Sequence, residues 1–189
     1  MTNPTTENIR WTTADLELFP DDGTRYEIID GELFMAKAPH WRHQQACGKV
    51  FRALDEWSEL SKLGQPSIAP GVMFSESDNV IPDVIWISNE RLAALVDDAG
   101  HFTGAPELVV EVLSPGAQNE RRDREAKLKL YATRGVQEYW IVDWRVQQVE
   151  VYRRENATLQ LIATLFATDQ LTTPLLANFA CPVSRLFAA

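Results

Sequence analysis

Apolar residues Tyr26, Ile28 and Ile29 precede Asp30-Gly31, and Leu33, Phe34 and Met35 follow it. Asp-Gly between two apolar runs is a strong hairpin signal, because a tight turn needs residues that tolerate positive φ. From His43 to Leu63 the apolar positions Ala46, Val50, Leu54 and Trp57 recur at helical spacing, and Gly64 and Pro66 are read as its end. "SIAPGVMFS" and "DVIWIS" then read as strands on either side of a polar turn, "ESDNVIP", with a short helix at "NERLAALV". "ELVVEVL", "NERRDREAKLKLYATRG" and "EYWIVDW" form a strand, crossover helix, strand unit. Further strands are predicted at "QVEVYRRE" and "LQLIATL", and a small closing helix at "PVSRLFA".

The pattern predicts an α/β fold: a core of helix, three strands, helix and strand, an N-terminal β-hairpin and C-terminal strands. Strands covered on both faces read as near-continuous apolar runs. Glu111 breaks such a run, and an unpaired charge there costs several kcal/mol.

At 189 residues the chain suits one domain over 11–189, with residues 1–10 expected to be disordered. No apolar run approaches the roughly 18 to 20 residues of a membrane span, and no basic flank with an apolar h-region opens the chain, so a cytoplasmic protein is expected. Cys47 and Cys181 show no ligand spacing and are expected to be buried, reduced thiols. A formal net charge of −9 argues against a protein that coats nucleic acid through a broad basic surface. It leaves a nucleic-acid enzyme open, because carboxylates gathered around a cation count as negative in the sum.

Four polar positions stand where structure alone would not put them: Glu27 in the hairpin, Asp83 after Pro82, Glu111 in its apolar strand, and Lys127 on the next helix. Carboxylates from adjacent strands suit a hard cation such as magnesium. Each also has a plainer reading. Asp83 suits a turn, Glu111 a buried ion pair with arginine, and Glu27 a solvated strand face. Lys127 suits an exposed i,i+4 pair with Asp123. His43 suits capping or packing. Arg121, Arg122 and Arg124 read either as a phosphate-contact strip or as a solvated helix face interleaved with acids. Trp86 and Trp140 are assigned to the core.

The order hairpin, helix, "PDV", "EVLS", helix with lysine resembles the restriction-endonuclease-like PD-(D/E)XK superfamily. Within it, "RYEIIDGEL", "PDVIWIS", "GAPELVVEVLSP", "DREAKLKLYATRGVQEYWIVD" and "TTPLLANFACPVSRLF" are similar to the Uma-two family, from Trp11 to Phe187. The superfamily signature places lysine two residues after its second acid, where this chain has Leu113. The family resemblance implies a lysine on the next helix, matching Lys127, with Lys129 as the competitor on the opposite face. It further implies that Asp83, Glu111 and the Val112 carbonyl hold Mg²⁺ or Mn²⁺, with Glu27 as a further candidate ligand, and that Glu27 and His43 belong to the site. The activity implied is metal-dependent hydrolysis of DNA by a homodimer. The competing expectations are a catalytically weak or inactive member acting as a nucleic-acid-binding or assembly module, and a metal-dependent hydrolase acting on another substrate.

Overall fold

The structure, a computed structural model, describes residues 9–36 and 38–187. The disorder expected at residues 1–10 falls mainly outside this set, and Arg10, inside it, pairs with Asp30 at 2.7 Å. A 3₁₀ turn at Thr13–Leu18 precedes the hairpin and has no apolar periodicity to announce it.

β1 (Arg25–Ile29) and β2 (Glu32–Ala36) pair antiparallel, with Ile28 opposite Leu33. Asp30 and Gly31 take φ of 49° and 72°, as a two-residue hairpin turn requires at both central positions. Helix α1 (Trp41–Ser61) buries Ala46, Cys47, Val50, Ala53 and Leu54, and Lys62 ends it in the left-handed conformation. Gly64 and Pro66 do not stop the helix but lie in β3 (Gly64–Ile68). A Cβ on Gly64 would sit 2.3 Å from the Ile87 carbonyl oxygen, and Pro66 is tolerated because β3 is an edge strand.

"SIAPGVMFS" is not one strand. It breaks at Ala69, whose φ is 49°, and its second part forms β4 (Val72–Ser75) in a different sheet. The supposed polar turn contains β5 (Asp78–Val80), three residues too short to show an alternation. There follow β6 (Val84–Ser88), α2 (Asn89–Leu95) and β7 (Leu108–Val112). The crossover comprises α3 (Ala117–Arg121), a π-helical segment (Arg122–Lys127) and α4 (Leu128–Arg134), leading to β8 (Glu138–Asp143). β9 (Gln148–Glu155), β10 (Thr158–Phe166), β11 (Gln170–Thr172), β12 (Ala180–Pro182) and a 3₁₀ turn at Val183–Leu186 complete the described elements.

The main sheet has the order β10-β9-β8-β7-β6-β3, with β7 and β8 parallel and the other neighbours antiparallel. A second sheet has the order β2-β1-β5-β4, and β11 pairs with β12. Alternation along β7 divides the core. Leu108, Val110 and Val112 pack with Val50 and Leu54 of α1 and with Trp86 and Trp140. Val109 and Leu113 pack on the other side with Leu130, Tyr131 and Tyr139. Leu113, fully buried, is therefore a packing residue, and Glu111 shares its face of the strand.

Trp86 Nε1 donates to Ser58 Oγ at 2.9 Å, and that hydroxyl donates to the Leu54 carbonyl at 2.8 Å. Ser58→Ala strands the buried indole N–H. The unfolding free energy is expected to fall by about 1 to 3 kcal/mol, read from urea denaturation. An unchanged midpoint would contradict this.

Candidate active site

Two strand ends, the α1 N-terminus, the hairpin and the crossover helix meet around a cavity of about 40 Å³. Its wall includes Glu27, His43, Asp83, Glu111, Arg122 and Lys127, with Arg25 and Ser114 at the side. All five side chains singled out in the sequence thus meet at one place. Space of this size accommodates a water or a small cation.

Asp83 directly precedes β6. Its Oδ2 accepts the Val112 N–H at 2.8 Å and lies 3.3 Å from His43 Nε2. Continuing the register of Val84 with Val110 places Pro82 opposite Val112. Proline has no N–H to donate, so the Val112 carbonyl on that edge has no ladder partner from Pro82. Glu111 Oε1 accepts from Lys127 Nζ at 2.9 Å and from the Tyr131 hydroxyl at 2.8 Å. The second oxygens, Asp83 Oδ1 and Glu111 Oε2, have no hydrogen-bond donor among the described residues. They are not sealed in the core, where every described side-chain polar atom has a partner.

Glu27 is buried rather than solvated. Its Oε1 accepts from the Ile81 N–H at 2.8 Å and meets Lys127 Nζ at 2.8 Å, while Oε2 lies 3.8 Å from Arg122 Nη1. Residues 122 and 127 would stand about 140° apart on an ordinary α-helix. The i→i+5 bonding of the π segment stacks residues five apart, which brings both cations to the same carboxylate. Asp123, expected on a solvated face, is buried and hydrogen-bonded by Arg122 Nε at 2.9 Å. Lys129 is exposed and lines a separate cavity.

The three arginines do not form a strip. Arg121 pairs with Glu125, Arg122 lines the cavity and pairs with Asp123, and Arg124 pairs with Glu150. Sequence reasoning also missed Tyr131, although it stands one helical turn beyond Lys127, and Cys47, which is i+4 from His43. Cys47 Sγ lies 3.5 Å from His43 Nδ1, so the imidazole bridges Cys47 and Asp83. These three residues bring potential ligand atoms within 4.8 Å of one another. Burial pushes the Cys47 thiol up, with Asp83 and Glu111 adding to the effect, so it remains S–H and completes a hydrogen-bonded chain. Both cysteines are buried free thiols, as expected.

Glu27, Asp83, Glu111 and Asp123 face Lys127, Arg122 and Arg25, leaving one negative charge in excess. Burial pushes Glu111 up to about 8, opposed by Lys127 and reinforced by Asp83, Asp123 and Glu27. Burial also raises Asp123. Asp83 is lowered: burial opposes ionisation there, but the His43 contact and the Val112 N–H outweigh it. Burial disfavours the charged form of Lys127 too, yet Glu111, Glu27 and Asp123 keep it protonated. The site therefore suits either a proton on Glu111 or a cation. An oxygen-only donor pair fits magnesium or manganese.

A pH dependence follows. Between the ordinary glutamate value and about 8, the folded protein holds a proton on Glu111 that the unfolded chain releases. Stability without divalent cation should fall as pH rises through this window, by at most about 1.4 kcal/mol per pH unit for one proton. Asp83 acts oppositely and lower, its contribution vanishing as pH falls through its depressed value. Urea unfolding in EDTA from pH 5 to 8 checks this, and Glu111→Gln should flatten the slope. A variant with the parental slope would exclude Glu111 as its source.

Residues 13–184 match the Uma2 family, described as "Putative restriction endonuclease". The chain belongs to the Uma2 family. A solved structure described as "a putative nuclease belonging to DUF820", from Anabaena variabilis ATCC 29413, superposes with a TM-score of 0.75. It is 17% identical, over 94% of this chain and 97% of that one. The Uma2 chain has the same restriction-endonuclease-like fold. The type IIG restriction endonuclease BpuSI matches with a TM-score of 0.43 and 12% identity, over 80% of this chain and 16% of that one. No curated protein matches. Among the described residues, no helix is long and apolar enough to cross a membrane.

Proposed function

We propose that this Uma2 protein is a divalent-metal-dependent endonuclease that hydrolyses phosphodiester bonds in DNA. The observation that carries the reading is the convergence on one cavity of Asp83, Glu111 and Lys127, with one carboxylate oxygen of each acid left without a donor. In this proposal Asp83 and Glu111 hold Mg²⁺ or Mn²⁺, with the Val112 carbonyl as a further oxygen. The ion would supply Lewis-acid polarisation of the phosphodiester and a lowered pKa for bound water. Lys127 stands beside Glu111 to orient that water and to offset charge on the reacting phosphate. Glu27 positions Lys127 and anchors Ile81, and His43 orients Asp83. A homodimer supplies two active centres for two strands, and a reducing cell interior suits the free thiols.

Incubation of supercoiled, linear and single-stranded DNA with Mg²⁺ or Mn²⁺ tests the reading. Cleavage should require the metal and disappear in Asp83→Ala. Cleavage that persists in both Asp83→Ala and Glu111→Ala would discard the site. One observation favours a second reading, a binding module without cleavage. A 40 Å³ cavity admits a cation but not a phosphodiester group, which must approach from its open side. Metal-independent DNA binding with no cleavage of any form would establish that alternative.

A further inference from the structure

Beside the candidate site is an aromatic surface that the reaction does not use. Trp41, in the first turn of α1, is 63% exposed. The Arg42 guanidinium lies over the Trp41 ring, 5.4 Å from its centroid, and places a cation beside the indole. The His40 ring stacks on Trp144, with centroids 4.9 Å apart and planes 5° from parallel, and lies 6.0 Å from Trp41. Trp144 is fixed in place: its indole N–H donates to the Leu113 carbonyl at 3.1 Å, two residues past Glu111. Between the two tryptophans opens a cleft of about 480 Å³, floored by Leu186 and Phe187 and edged by Arg42 and Lys49. That volume lies within the range of small-molecule sites.

Charge and position narrow the occupant. The chain carries −9 overall, yet this cleft is bordered by cations. The first turn of α1 has no acid. Asp143 and Glu120, the nearby acids in the chain, are both held by Arg145, at 2.7 and 2.8 Å. The His40 ring, stacked on Trp144, stands between the cleft and the candidate active site. A second depression shares Pro39, Ser114 and Arg122 with the cavity and reaches His40. His40, stacked on Trp144, and His43, in the cavity wall, are three residues apart at the start of α1, about 4.5 Å along the helix axis.

We propose that the Trp41–Trp144 cleft is a base-binding subsite that takes an unpaired nucleobase of the strand whose phosphate lies at Asp83 and Glu111. The base stacks on indole, Arg42 and Lys49 meet the adjoining phosphates, and the preferred substrate is single-stranded or locally unpaired DNA. Stacking is indifferent to base identity, because every base has a π face. The proposal rests on the nuclease reading for the position of the scissile phosphate.

The experiment measures binding of a short oligothymidylate, and of a duplex of equal length, to the full chain in EDTA, by tryptophan fluorescence and by anisotropy of a labelled strand. Trp41→Ala should weaken single-strand binding about tenfold and leave duplex binding and the unfolding midpoint unchanged. Trp41→Phe, which keeps an aromatic face, should stay within about threefold of the parent. Arg42→Ala should weaken binding most at low salt and reduce the slope of log K against log salt concentration by about 0.7. Equal single-strand affinity in Trp41→Ala and the parent overturns the subsite, as does a change confined to oligomeric state. Trp41-dependent binding without metal-dependent cleavage by the parent would instead sink the nuclease reading and leave the base site standing.

Discussion

Lys127→Ala is expected to lower the unfolding free energy by about 3 to 5 kcal/mol, the cost of breaking a buried ion pair, and to slow cleavage by about 100- to 1,000-fold. Lys127 is 1% exposed, and its ammonium lies within 2.9 Å of both Glu27 and Glu111. Its removal leaves two facing carboxylates without their shared cation and raises Glu111 further. Lys127→Met keeps most of the volume and separates the charge from the cavity. Lys129→Ala, on the exposed face, should change stability by no more than about 0.5 kcal/mol and leave the rate unaltered. A Lys127→Ala protein with the parental rate, or a loss confined to Lys129→Ala, would contradict the assignment of this helix face.

Asp83→Asn should reduce cleavage by at least about 1,000-fold, because Lewis-acid stabilisation is worth several kcal/mol and each 1.36 kcal/mol is a factor of ten. The amide oxygen still accepts the Val112 N–H, so the strand end stays closed and the loss reports on charge rather than on folding. Circular dichroism and the urea midpoint should match the parent within about 1 kcal/mol. Asp83→Ala adds a stranded Val112 N–H and should be less stable than Asp83→Asn. Equal rates in Asp83→Asn and the parent would remove Asp83 from the metal site.

Much of this was legible because periodicity is strong where both faces are covered. "ELVVEVL" reads as a buried strand, and its one carboxylate marks the place where the chain departs from packing. Proline before Asp83 and the Asp30-Gly31 turn are likewise local signals. What escaped depends on distance or on averaging. β5 is too short to alternate, and the break at Ala69 rests on a backbone conformation that alanine does not announce. The π segment leaves the apolar spacing of its helix nearly intact, yet it decides that Arg122 and Lys127 meet the same carboxylate. An evenly spaced helical wheel leaves Arg122 as a phosphate contact or a solvated side chain, whereas it lines the cavity between Asp123 and Glu27. Asp123 followed the same error, since an i,i+4 pair looks identical whether solvated or buried.

In the proposed metal site Asp83 and Glu111 hold one divalent cation beside Lys127. Calorimetric titration of the full chain with Mn²⁺ at pH 8 tests it most directly. The parent should bind with proton release from Glu111, and Glu111→Gln should bind at least tenfold more weakly and release no proton. Undiminished binding by Glu111→Gln, with the same proton release, would remove Glu111 from the metal site.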